Sequence, residues 1–298
     1  MSAIDVNKNN KIKSKKSGSI KMTKYFYGKT VIITGASAGV GAETARAFAK
    51  MNANLVLLAR GQKALDEMSK ELSVHTEVLT IAMDVSNAVD CKNMLVNAQE
   101  KFGDIHYLIN NAGYHKRGEV ENNAPEALAK MVDVNLRAPI ELTALILPYI
   151  RNSIAKGSFG GIVNVGSLAG RTPLQGAATY SATKSGLRAF TYALSDELMG
   201  SGISVGLVSP GPINTGFIMS EIDEVEDIVF SQPMSSPQQV TDAIICVAKG
   251  YKVEISLPNS SGWLTTLSYL FPALRRFLRP SLYKKGRKAK ERYRNKTQ

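Results

Sequence analysis

Cysteine and histidine are scarce in this chain, and neither residue type forms a cluster. The 298 residues include two cysteines, Cys91 and Cys246, and three histidines, His75, His106 and His115. Two distant cysteines do not predict a disulfide framework and are typical of buried thiols in a reducing compartment such as the cytoplasm. The histidines lack the spacing of metal ligands. We therefore expect no disulfide scaffold and no metal site.

Apolar runs of membrane-spanning length, about 20 residues, are also missing. Residues 7–19 are polar and rich in lysine, so we expect neither a signal peptide nor a membrane span there. Their composition favours a disordered basic tail over residues 1–26. The hydrophobic fraction of 44% is enough to bury a full core, and α/β folds of this length often form one domain.

The net charge of +12 is unevenly distributed along the chain. Residues 1–29 carry eight lysines and one aspartate, and residues 263–298 carry eleven lysines or arginines and one glutamate. The segment between them is therefore net acidic. Basic arms of this kind favour an anionic partner, either a membrane surface or nucleic acid. Nucleic acid is the less favoured partner, because the first arm has no interleaved aromatic residues and no nucleic-acid-binding motif is present.

A glycine-rich turn follows the first apolar run. Residues 30–33 have the β-branched composition of a buried strand and lead into Gly35, Gly39 and Gly41, after which residues 42–51 have a helical pattern. A strand, a glycine-rich turn and a helix N-terminus together form a cradle for a diphosphate, because glycines let the backbone approach and free N–H groups favour negative charge. The spacing departs from the common Gly-x-Gly-x-x-Gly, and an ordinary tight turn is an equal alternative for the turn considered alone.

Strands and helices alternate through the rest of the chain. The predicted strands are residues 54–59, 77–82, 106–109, 161–165 and 203–208. The predicted helices are residues 63–72, 89–102, 125–150 and 178–199. Alternation implies a parallel sheet with right-handed crossovers and helices on both faces. We therefore expect the α/β class, with a single Rossmann-type doubly wound domain over residues 27–260 and an extension over residues 261–298.

Tyr180 and Lys184 stand one helical turn apart in the predicted helix 178–199, so their side chains share a face. A tyrosine has an ordinary pKa of about 10, and a neighbouring cation lowers it toward working pH. A tuned tyrosine can exchange a proton with an alcohol. The pair alone is weak support for catalysis, because any amphipathic helix can place tyrosine and lysine four residues apart.

Together these motifs resemble the classical short-chain dehydrogenase/reductase family over roughly residues 27–257. The resemblance rests on motifs in the family's order, namely the glycine turn, the Asn-Asn-Ala-Gly run at 110–113, Asn135, Ser167, Tyr180 with Lys184, and Pro210-Gly211. It implies that Tyr180 is the general acid/base and that Ser167 bonds the substrate oxygen. It also implies that Lys184 lowers the tyrosine pKa and holds the nicotinamide ribose, and that Asn135 supports a proton-relay water. From the residues alone, Ser167 is also consistent with a turn former and Asn135 with a polar helix residue.

The resemblance implies a nicotinamide dinucleotide, and Arg60 favours NADP(H) over NAD(H). The second strand ends Leu58-Ala59-Arg60, without the carboxylate that would bond a ribose 2'-hydroxyl, whereas an arginine suits a 2'-phosphate. The alternative for Arg60 is a solvated loop residue. Asp84 is implied to bond the adenine amino group, with a capping or turn aspartate as the alternative. The other implied cofactor contacts are Gly35, Ser37, Gly39, Val40, Gly41, Val85, Asn111, Ala112, Gly113, Tyr180, Lys184, Pro210, Gly211, Ile213 and Thr215.

The resemblance implies that residues 213–237, called the lid below, fold over the substrate. The lid contains large apolar residues that would suit an apolar ligand, at Phe217, Ile218, Met219, Ile222, Val225, Ile228, Val229 and Phe230. It also contains carboxylates, at Glu221, Asp223, Glu224, Glu226 and Asp227. An anionic substrate head is therefore disfavoured unless those carboxylates face water. His115 could line the substrate pocket, and a surface position is an equal alternative.

The C-terminal extension has the pattern of a basic amphipathic helix. Its apolar residues recur at spacings of three and four, at Leu264, Leu267, Leu270, Phe271, Leu274, Phe277, Leu278 and Leu282. Pro272 and Pro280 are expected to kink it, and lysines and arginines lie along and beyond the apolar face. Such a segment can lie in an anionic membrane interface. The alternative, almost equal, is a helix over the substrate cleft or at a subunit interface.

The function expected from the sequence is an NADP(H)-dependent oxidoreductase that interconverts a ketone and a secondary alcohol. The lid and the extension favour an apolar or lipid-like substrate, and the extension loosely resembles those of membrane-associated lipid-ketone reductases in the family. The protein is expected to be cytoplasmic, with peripheral membrane contact through residues 263–298, and the family commonly forms homo-oligomers through helices that correspond to 125–150 and 178–199. Two alternatives are an NADP(H)-binding regulator that has lost turnover and a nucleic-acid binder, and the intact catalytic set argues against the first.

Overall fold

The apolar runs of the sequence form the strands of one parallel sheet. The computed structural model describes residues 25–220 and 222–297, without the side chains of Phe217 and of residues 296 and 297; residues 1–24, which hold most of the predicted basic tail, and Glu221 lie outside the described residues. The strands are β1 (Thr30–Thr34), β2 (Asn54–Ala59), β3 (Val78–Ala82), β4 (Tyr107–Asn110), β5 (Gly160–Val165), β6 (Ile203–Pro210) and β7 (Glu254–Leu257). Neighbouring strands are parallel, in the order β3-β2-β1-β4-β5-β6-β7.

Helices cover both faces of this sheet. They are α1 (Gly39–Lys50), α2 (Gln62–Leu72), α3 (Ala88–Phe102), α4 (Pro125–Val132), α5 (Ala138–Ala155), α6 (Ala178–Glu197), the short α7 (Gly216–Met219), α8 (Pro237–Ala248), α9 (Asn259–Leu270) and α10 (Pro272–Thr297). Because side chains alternate along a strand, Val31 and Ile33 pack with α1, α2 and α8, whereas Ile32 packs with α3, α5 and α6. The predicted doubly wound α/β fold with C-terminal helices is confirmed.

The structure differs from the predicted elements in several places, and helix α8, Pro237–Ala248, has no predicted counterpart. The helix predicted over residues 125–150 is divided into α4 and α5 by a π turn, Asp133–Arg137, in which the Ala138 N–H bonds the Asp133 carbonyl. α1 begins at Gly39, so its first turn belongs to the glycine-rich motif. β7 is absent from the predicted strands, because four residues that alternate polar and apolar give too short a pattern.

The scarce cysteines and histidines are dispersed, as their spacing suggests. Cys91 is a buried free thiol whose pKa is raised to about 11 by burial, whereas Cys246 is only partly buried, contrary to the expectation for both. His106 is a core residue, and its Nδ1 accepts the Thr30 N–H at 3.0 Å. Within the described residues, no group of His, Cys, Asp and Glu side chains is arranged to hold a metal ion.

The sheet has a topological switch between β1 and β4, which are neighbours in space but not in sequence. Open α/β sheets bind ligands outside the carboxyl ends of the strands at such a point. Thr34 Oγ1 accepts the backbone N–H groups of Asn111 and Ala112, each at 2.9 Å, and Asn111 Nδ2 donates to the Thr34 carbonyl at 2.9 Å. These bonds hold the loops after β1 and β4 side by side.

The C-terminal extension folds back onto the domain. α9 ends before Phe271 and α10 begins at Pro272, as expected for a residue without a backbone N–H, but Pro280 lies inside α10, which continues to Thr297. α10 packs on the lid at its 3₁₀ turn, Asp227–Ser231. A Cβ added at Gly286 would collide with the backbone carbonyl of Asp227, so the two backbones are in direct contact. Among the described helices, none has both the length and the hydropathy needed to cross a bilayer.

Carboxylates of the lid pair with cations of α10. Asp227 pairs with Arg287 at 3.1 Å and with Lys290 at 3.5 Å, and Arg294 pairs with Asp223. α10 therefore occupies the position that the sequence left as the alternative for the extension, over the substrate side of the domain.

Part of the apolar content of the lid holds α10 in place. Ile218, Val225 and Phe230 form a small hydrophobic cluster, and Ala289 and Tyr293 of α10 pack against it. The lid is thus less available to an apolar ligand than its sequence alone indicates.

Candidate active site

A large cleft opens at the carboxyl edge of the sheet. It has a volume of about 1190 Å³ and lies between the glycine turn, the loops after β4 and β5, the lid and the two C-terminal helices. The predicted site residues that line it are Gly35, Ser37, Gly39, Val40, Arg60, Asp84, Val85, Asn111, Ala112, Gly113, Ser167, Tyr180, Lys184, Pro210, Gly211, Ile213 and Thr215. Gly41 and Asn135 are buried and do not line the cleft.

The glycine turn has the backbone geometry of an anion cradle. Gly35 and Gly39 have φ angles of +66° and +54°, in the left-handed region that favours glycine. A Cβ added at Gly41 would collide with the carbonyl oxygen of Gly35, so α1 starts as close to β1 as a glycine allows. Ala38, the N-cap, makes no side-chain capping bond, and the first turn of α1 has no acidic residue. This helix start therefore fits a bound negative charge such as a diphosphate.

The far end of the cofactor side carries Arg60 and Asp84. Arg60 is exposed where β2 ends. Asp84 accepts the N–H of Ser86 at 2.9 Å and Lys130 Nζ at 2.9 Å. Burial opposes ionisation of Asp84, but the hydrogen bonds from Ser86 and Lys130 outweigh it and lower the pKa to about 2. Asp84 thus has the geometry of a turn aspartate, and Lys130 is a cleft residue that the sequence did not indicate.

Ser167, Tyr180 and Lys184 meet in the middle of the cleft. Ser167 follows β5, its hydroxyl accepts the Ala169 N–H at 3.1 Å, and it lies close enough to Tyr180 to influence the pKa of the phenol. Lys184 is buried, donates from Nζ to the Val165 carbonyl at 2.9 Å and lies 5.8 Å from the centre of the Tyr180 ring. Burial lowers the pKa of the Lys184 ammonium to about 8.

The ionisation of Tyr180 differs from the lowered pKa that the family resemblance implies. Burial raises the pKa of the phenol, and the neighbouring Ser167 side chain and the positive charge of Arg117 oppose this rise without cancelling it. Removing a phenolate from water has the larger effect. The raised pKa favours the protonated form of the phenol.

Asn135 is buried in the π turn between α4 and α5. Its Oδ1 accepts the Tyr114 N–H at 2.8 Å and its Nδ2 donates to the Tyr114 carbonyl at 2.7 Å, with Thr183 Oγ1 at 3.4 Å. π turns occur frequently at functional sites. In this structure the Asn135 amide fixes the loop after β4 against α6.

His115 on that loop stacks on Tyr180, a contact that the sequence left open. The ring centroids are 4.2 Å apart and the planes differ by 19°. Burial and the charges of Arg117 and Lys184 lower the pKa of His115 to about 3. Arg117 Nη1 lies 3.2 Å from Nδ1, so the neutral ring accepts there and carries its proton on Nε2. His115 Nε2 is buried and has no hydrogen-bond partner among the described residues, so an N–H donor stands beside Tyr180.

A buried ion-pair network behind Ser167 was not predicted, since its residues are far apart in sequence. Glu254 on β7 pairs with Arg171 at 2.6 Å and with Arg188 at 2.9 Å. Burial raises the Glu254 pKa, but the bonds from Arg188 and Arg171 dominate and lower it to about 2. Arg171 also donates to the Gly262 carbonyl at 3.2 Å and to the Thr266 hydroxyl at 2.8 Å. The network therefore joins α9 to the turn that carries Ser167.

Comparison with known families agrees with this geometry. The family model described as short chain dehydrogenase matches residues 29–226, from the start of β1 into the lid. The chain belongs to the short-chain dehydrogenase family. It is an oxidoreductase acting on CH–OH groups with a nicotinamide dinucleotide as cofactor.

Its curated relatives include reductases and dehydrogenases. Ketoacyl reductase HetN of Nostoc sp. is 34% identical over 233 residues, which are 76% of this chain and 78% of that protein. The NADP-dependent 3-hydroxy acid dehydrogenase of Schizosaccharomyces pombe is 32% identical over 229 residues, 73% of this chain and 86% of that protein. Dehydrogenase/reductase SDR family member 7B of Bos taurus is 29% identical over 287 residues, 91% of this chain and 86% of that protein.

Among solved structures, 3-ketoacyl-(acyl-carrier-protein) reductase from Brucella melitensis, complexed with NADH, superposes with a TM-score of 0.72 at 27% identity. The match covers 80% of this chain and 99% of that chain. This chain therefore contains segments in addition to the fold that the two proteins share.

Proposed function

We propose that this protein is an NADP(H)-dependent oxidoreductase that interconverts a ketone and a secondary alcohol, with Tyr180 as the general acid/base. The observation that carries this proposal is the meeting of Ser167, Tyr180 and Lys184 in the cleft that the glycine turn borders. The raised pKa of Tyr180 supports a proton donor, which reduction of a carbonyl requires.

The nicotinamide, when bound, supplies or accepts the hydride, so the chain must manage one proton and position one oxygen. In reduction, the hydroxyls of Tyr180 and Ser167 donate hydrogen bonds to the substrate carbonyl oxygen, and Tyr180 transfers its proton as that oxygen gains negative charge. Lys184, charged at neutral pH, stabilises the phenolate left behind and holds the nicotinamide ribose. Asn135 supports the water that returns a proton to Tyr180. In oxidation the same groups act in reverse.

Several residues of the cofactor side would hold NADP(H). The glycine turn and the start of α1 suit the diphosphate, Arg60 suits the 2'-phosphate, and Asp84 suits the adenine amino group. The other proposed contacts are Ser37, Val40, Val85, Asn111, Ala112, Gly113, Pro210, Gly211, Ile213 and Thr215. The NADP dependence in the name of the Schizosaccharomyces pombe relative supports this choice, although the Brucella melitensis structure contains NADH.

The substrate side favours an apolar, lipid-like substrate. Its apolar lining comes from the turn after β5, the lid and the two C-terminal helices, at Leu168, Ile218, Ile228, Val229, Leu264, Leu278 and Leu282. Three of these seven residues belong to the C-terminal extension, so substrate choice depends on a segment outside the family match.

The outer surface of the extension supports peripheral contact with an anionic membrane at its cytoplasmic face. Large apolar side chains that do not line the cleft are exposed there in consecutive turns, at Trp263, Leu267, Tyr269, Leu270, Phe271, Leu274 and Phe277. The exposed cations Arg276, Lys284 and Lys288 adjoin them. Apolar insertion and attraction to anionic lipid would act together, and the surface borders the cleft that takes the substrate. We also propose a homo-oligomer through α5 and α6, as the family commonly forms.

An assay of ketones and alcohols, including long-chain keto lipids, tests the proposal. The absorbance of NADPH measures turnover, and the same assays with NADH are the control. Turnover of a keto lipid with NADPH is the expected result. Cofactor binding without turnover of any member would favour the alternative of a regulatory protein. Binding of RNA in preference to anionic liposomes, compared across salt concentrations, would favour the alternative of a nucleic-acid binder.

A further inference from the structure

We propose that the substrate carries an anionic group held by Arg275, Arg279 and Lys285 of α10. This inference rests on the proposed function and narrows its substrate class to an amphiphile with an apolar chain and an anionic head. It reverses the expectation, drawn from the carboxylates in the lid sequence, that an anionic head is disfavoured.

One face of α10 alternates cations and leucines along the cleft. Arg275, Leu278, Arg279, Leu282 and Lys285 all line it, and their spacing of three and four residues places them in one stripe of the helix. The next stripe, which contains Gly286, Ala289, Lys290 and Tyr293, packs on the lid. The orientation of α10 is therefore fixed by the lid contact, and that orientation aims the cations into the cleft.

The three cations are not neutralised by the chain. Among the described residues, none of them forms an ion pair with a carboxylate. Arg275 Nε is buried without a hydrogen-bond partner among those residues, and Arg279 Nη1 donates to the neutral amide oxygen of Gln175 at 2.9 Å. A buried unsatisfied donor is costly, and positive charge in a low-dielectric cleft attracts an anion.

None of the described lid carboxylates lines the cleft, although Glu226 accepts a hydrogen bond from the cleft-lining Tyr283 at 3.2 Å. Within the described part of the chain, Asp84 is the one carboxylate that lines the cleft, and it pairs with Lys130 at the cofactor side. Asp223 and Asp227 pair with cations on the lid-facing side of α10. The substrate side therefore presents positive charge to a ligand.

The same stripe supplies an apolar wall for the rest of the ligand. Leu278 and Leu282 alternate with the cations, and Leu264 of α9 and Ile228 of the lid line the cleft with them. An anion without an apolar chain would leave these side chains in water, and a neutral lipid would leave the cations uncompensated. An anionic amphiphile matches both features.

A titration with decyl phosphate, decanol and inorganic phosphate tests this inference. The full-length protein with saturating oxidised cofactor is used, so that the cofactor site does not bind phosphate. Trp263, the single tryptophan of the chain, adjoins the lining residue Leu264 and reports binding by its fluorescence. We expect decyl phosphate to bind at least about tenfold more tightly than decanol or inorganic phosphate, because charge-assisted hydrogen bonds are roughly twice as strong as neutral ones.

Two matched triple variants locate the effect. Arg275→Gln/Arg279→Gln/Lys285→Gln should remove the preference for decyl phosphate over decanol. Arg276→Gln/Lys284→Gln/Lys288→Gln removes the same charge from exposed positions of α10 that do not line the cleft and should keep the preference. Equal affinities of the unmodified protein for the three probes would overturn the inference without any variant. An equal loss in both triple variants would also overturn it, because it would reflect the overall charge of the helix.

The outcome is separable from the proposed catalytic function. Binding of decyl phosphate does not depend on proton transfer, so Tyr180→Phe should bind this probe as the unmodified protein does. If Tyr180→Phe retained turnover, the catalytic proposal would fail while the binding result stood. If a keto lipid is reduced but the protein binds decyl phosphate no more tightly than decanol, the proposal of an anionic head fails while the catalytic proposal stands.

Discussion

The two sides of the cleft are stabilised in different ways. On the cofactor side, hydrogen bonds that involve the backbone tie the loops after β1 and β4 together, at Thr34 and Asn111, next to the core of the sheet. On the substrate side, side-chain ion pairs hold the lid and α10, as at Asp227 with Arg287. The bonds of each side depend on side chains of that side alone. We therefore expect single mutations that affect cofactor binding without affecting substrate binding, and the reverse.

The family match divides the molecule at nearly the same place. The matched residues 29–226 include the whole cofactor side and end inside the lid, before α10 begins. The proposed cofactor binding and proton transfer therefore belong to the shared fold. The proposed substrate choice belongs mainly to residues that this chain adds to it.

Loss of the Tyr180 hydroxyl should have the largest effect, lowering the rate of catalysis while leaving cofactor binding intact. Tyr180→Phe deletes the proton donor, and a positioned acid contributes about 10²-fold or more to the rate. We expect kcat to fall at least about 10²-fold, with NADPH affinity almost unchanged. Steady-state kinetics and fluorescence titration of NADPH measure the two quantities. Retention of more than about a tenth of the rate would exclude Tyr180 as the general acid.

The buried pair of Glu254 should dominate the stability of the substrate side. Glu254→Gln leaves Arg171 and Arg188 without their carboxylate, and breaking a buried pair costs about 3–5 kcal/mol. Glu71→Gln breaks the exposed pair with Arg46 at 2.6 Å and should cost no more than about 1 kcal/mol. Urea unfolding of both variants measures the two losses in unfolding free energy. Equal losses would contradict a dominant role for the Glu254 pair.

The same variant has a defined pH dependence. The folded-state pKa of Glu254, about 2, lies below the ordinary glutamate value of 4.5. The carboxylate therefore contributes stability that is fully present above the unfolded pKa and is lost as pH falls through the folded pKa. The difference in unfolding free energy between the unmodified protein and Glu254→Gln should narrow from pH 7 to pH 3.5. A difference that is constant over this range would mean that Glu254 does not titrate as the buried pair requires.

The sequence indicated the cofactor side well, because its residues are local motifs. The glycine turn and the Tyr180–Lys184 pair each span only a few consecutive residues. Their position in the cleft follows from the order of strands and helices. The Glu254 network joins residues from the turn after β5, from α6 and from β7, so no local pattern contains it. The direction of the Tyr180 pKa shift also could not be predicted from the sequence, because it depends on burial of the side chain in the folded protein.

The C-terminal extension shows the limit of periodicity. Its apolar spacing predicted helices, but a helix with both apolar and basic stripes has several ways to face its surroundings. The contact of Gly286 with Asp227 selects one of them, and this contact becomes visible only in three dimensions. The stripe of Arg275, Arg279 and Lys285 is recognisable afterwards as positions i, i+4 and i+10 of one helix.

A methyl group at Gly286 should disturb the substrate side alone. Gly286→Ala forces α10 away from the lid, and overpacking of this kind costs about 1–3 kcal/mol. We expect a lower melting temperature and a higher KM for an apolar ketone, with unchanged NADPH affinity. Gly216→Ala adds the same methyl group in the lid, where no atom lies within 4 Å, and should change the melting temperature little. A matching loss of NADPH affinity in Gly286→Ala would show that the two sides are coupled.

Arg60 should affect only the choice of cofactor. Arg60→Ala removes the proposed partner of the 2'-phosphate, so NADPH should bind at least about tenfold more weakly while NADH is hardly affected, since a hydrogen bond to a charged group is worth about 1.5–3 kcal/mol. Lys63→Ala removes a neighbouring exposed cation that does not line the cleft. Fluorescence titration of both cofactors with both variants measures the effect. Equal weakening of NADPH and NADH would assign Arg60 to a solvated loop.

The exposed apolar surface of the extension should affect membrane binding and leave the isolated enzyme unchanged. Leu270→Gln/Leu274→Gln/Phe277→Gln removes three exposed apolar side chains that do not line the cleft. Burying one such side chain contributes about 1.5–3 kcal/mol, so cosedimentation with anionic vesicles should weaken at least about tenfold while turnover of a soluble ketone is retained.

Matched positions away from the extension provide the control for membrane binding. Met199→Gln and Tyr251→Gln change side chains that are 79% and 71% exposed elsewhere on the domain, and they should leave cosedimentation unchanged. High salt should loosen the unmodified protein only in part, because salt screens the cations but not the apolar contact. Negligible sedimentation of the unmodified protein with both neutral and anionic vesicles would rule out the membrane proposal. In that case the alternative is that the apolar surface contacts a second copy of the chain. Sedimentation equilibrium would then show an oligomer of the unmodified protein that the triple variant does not form.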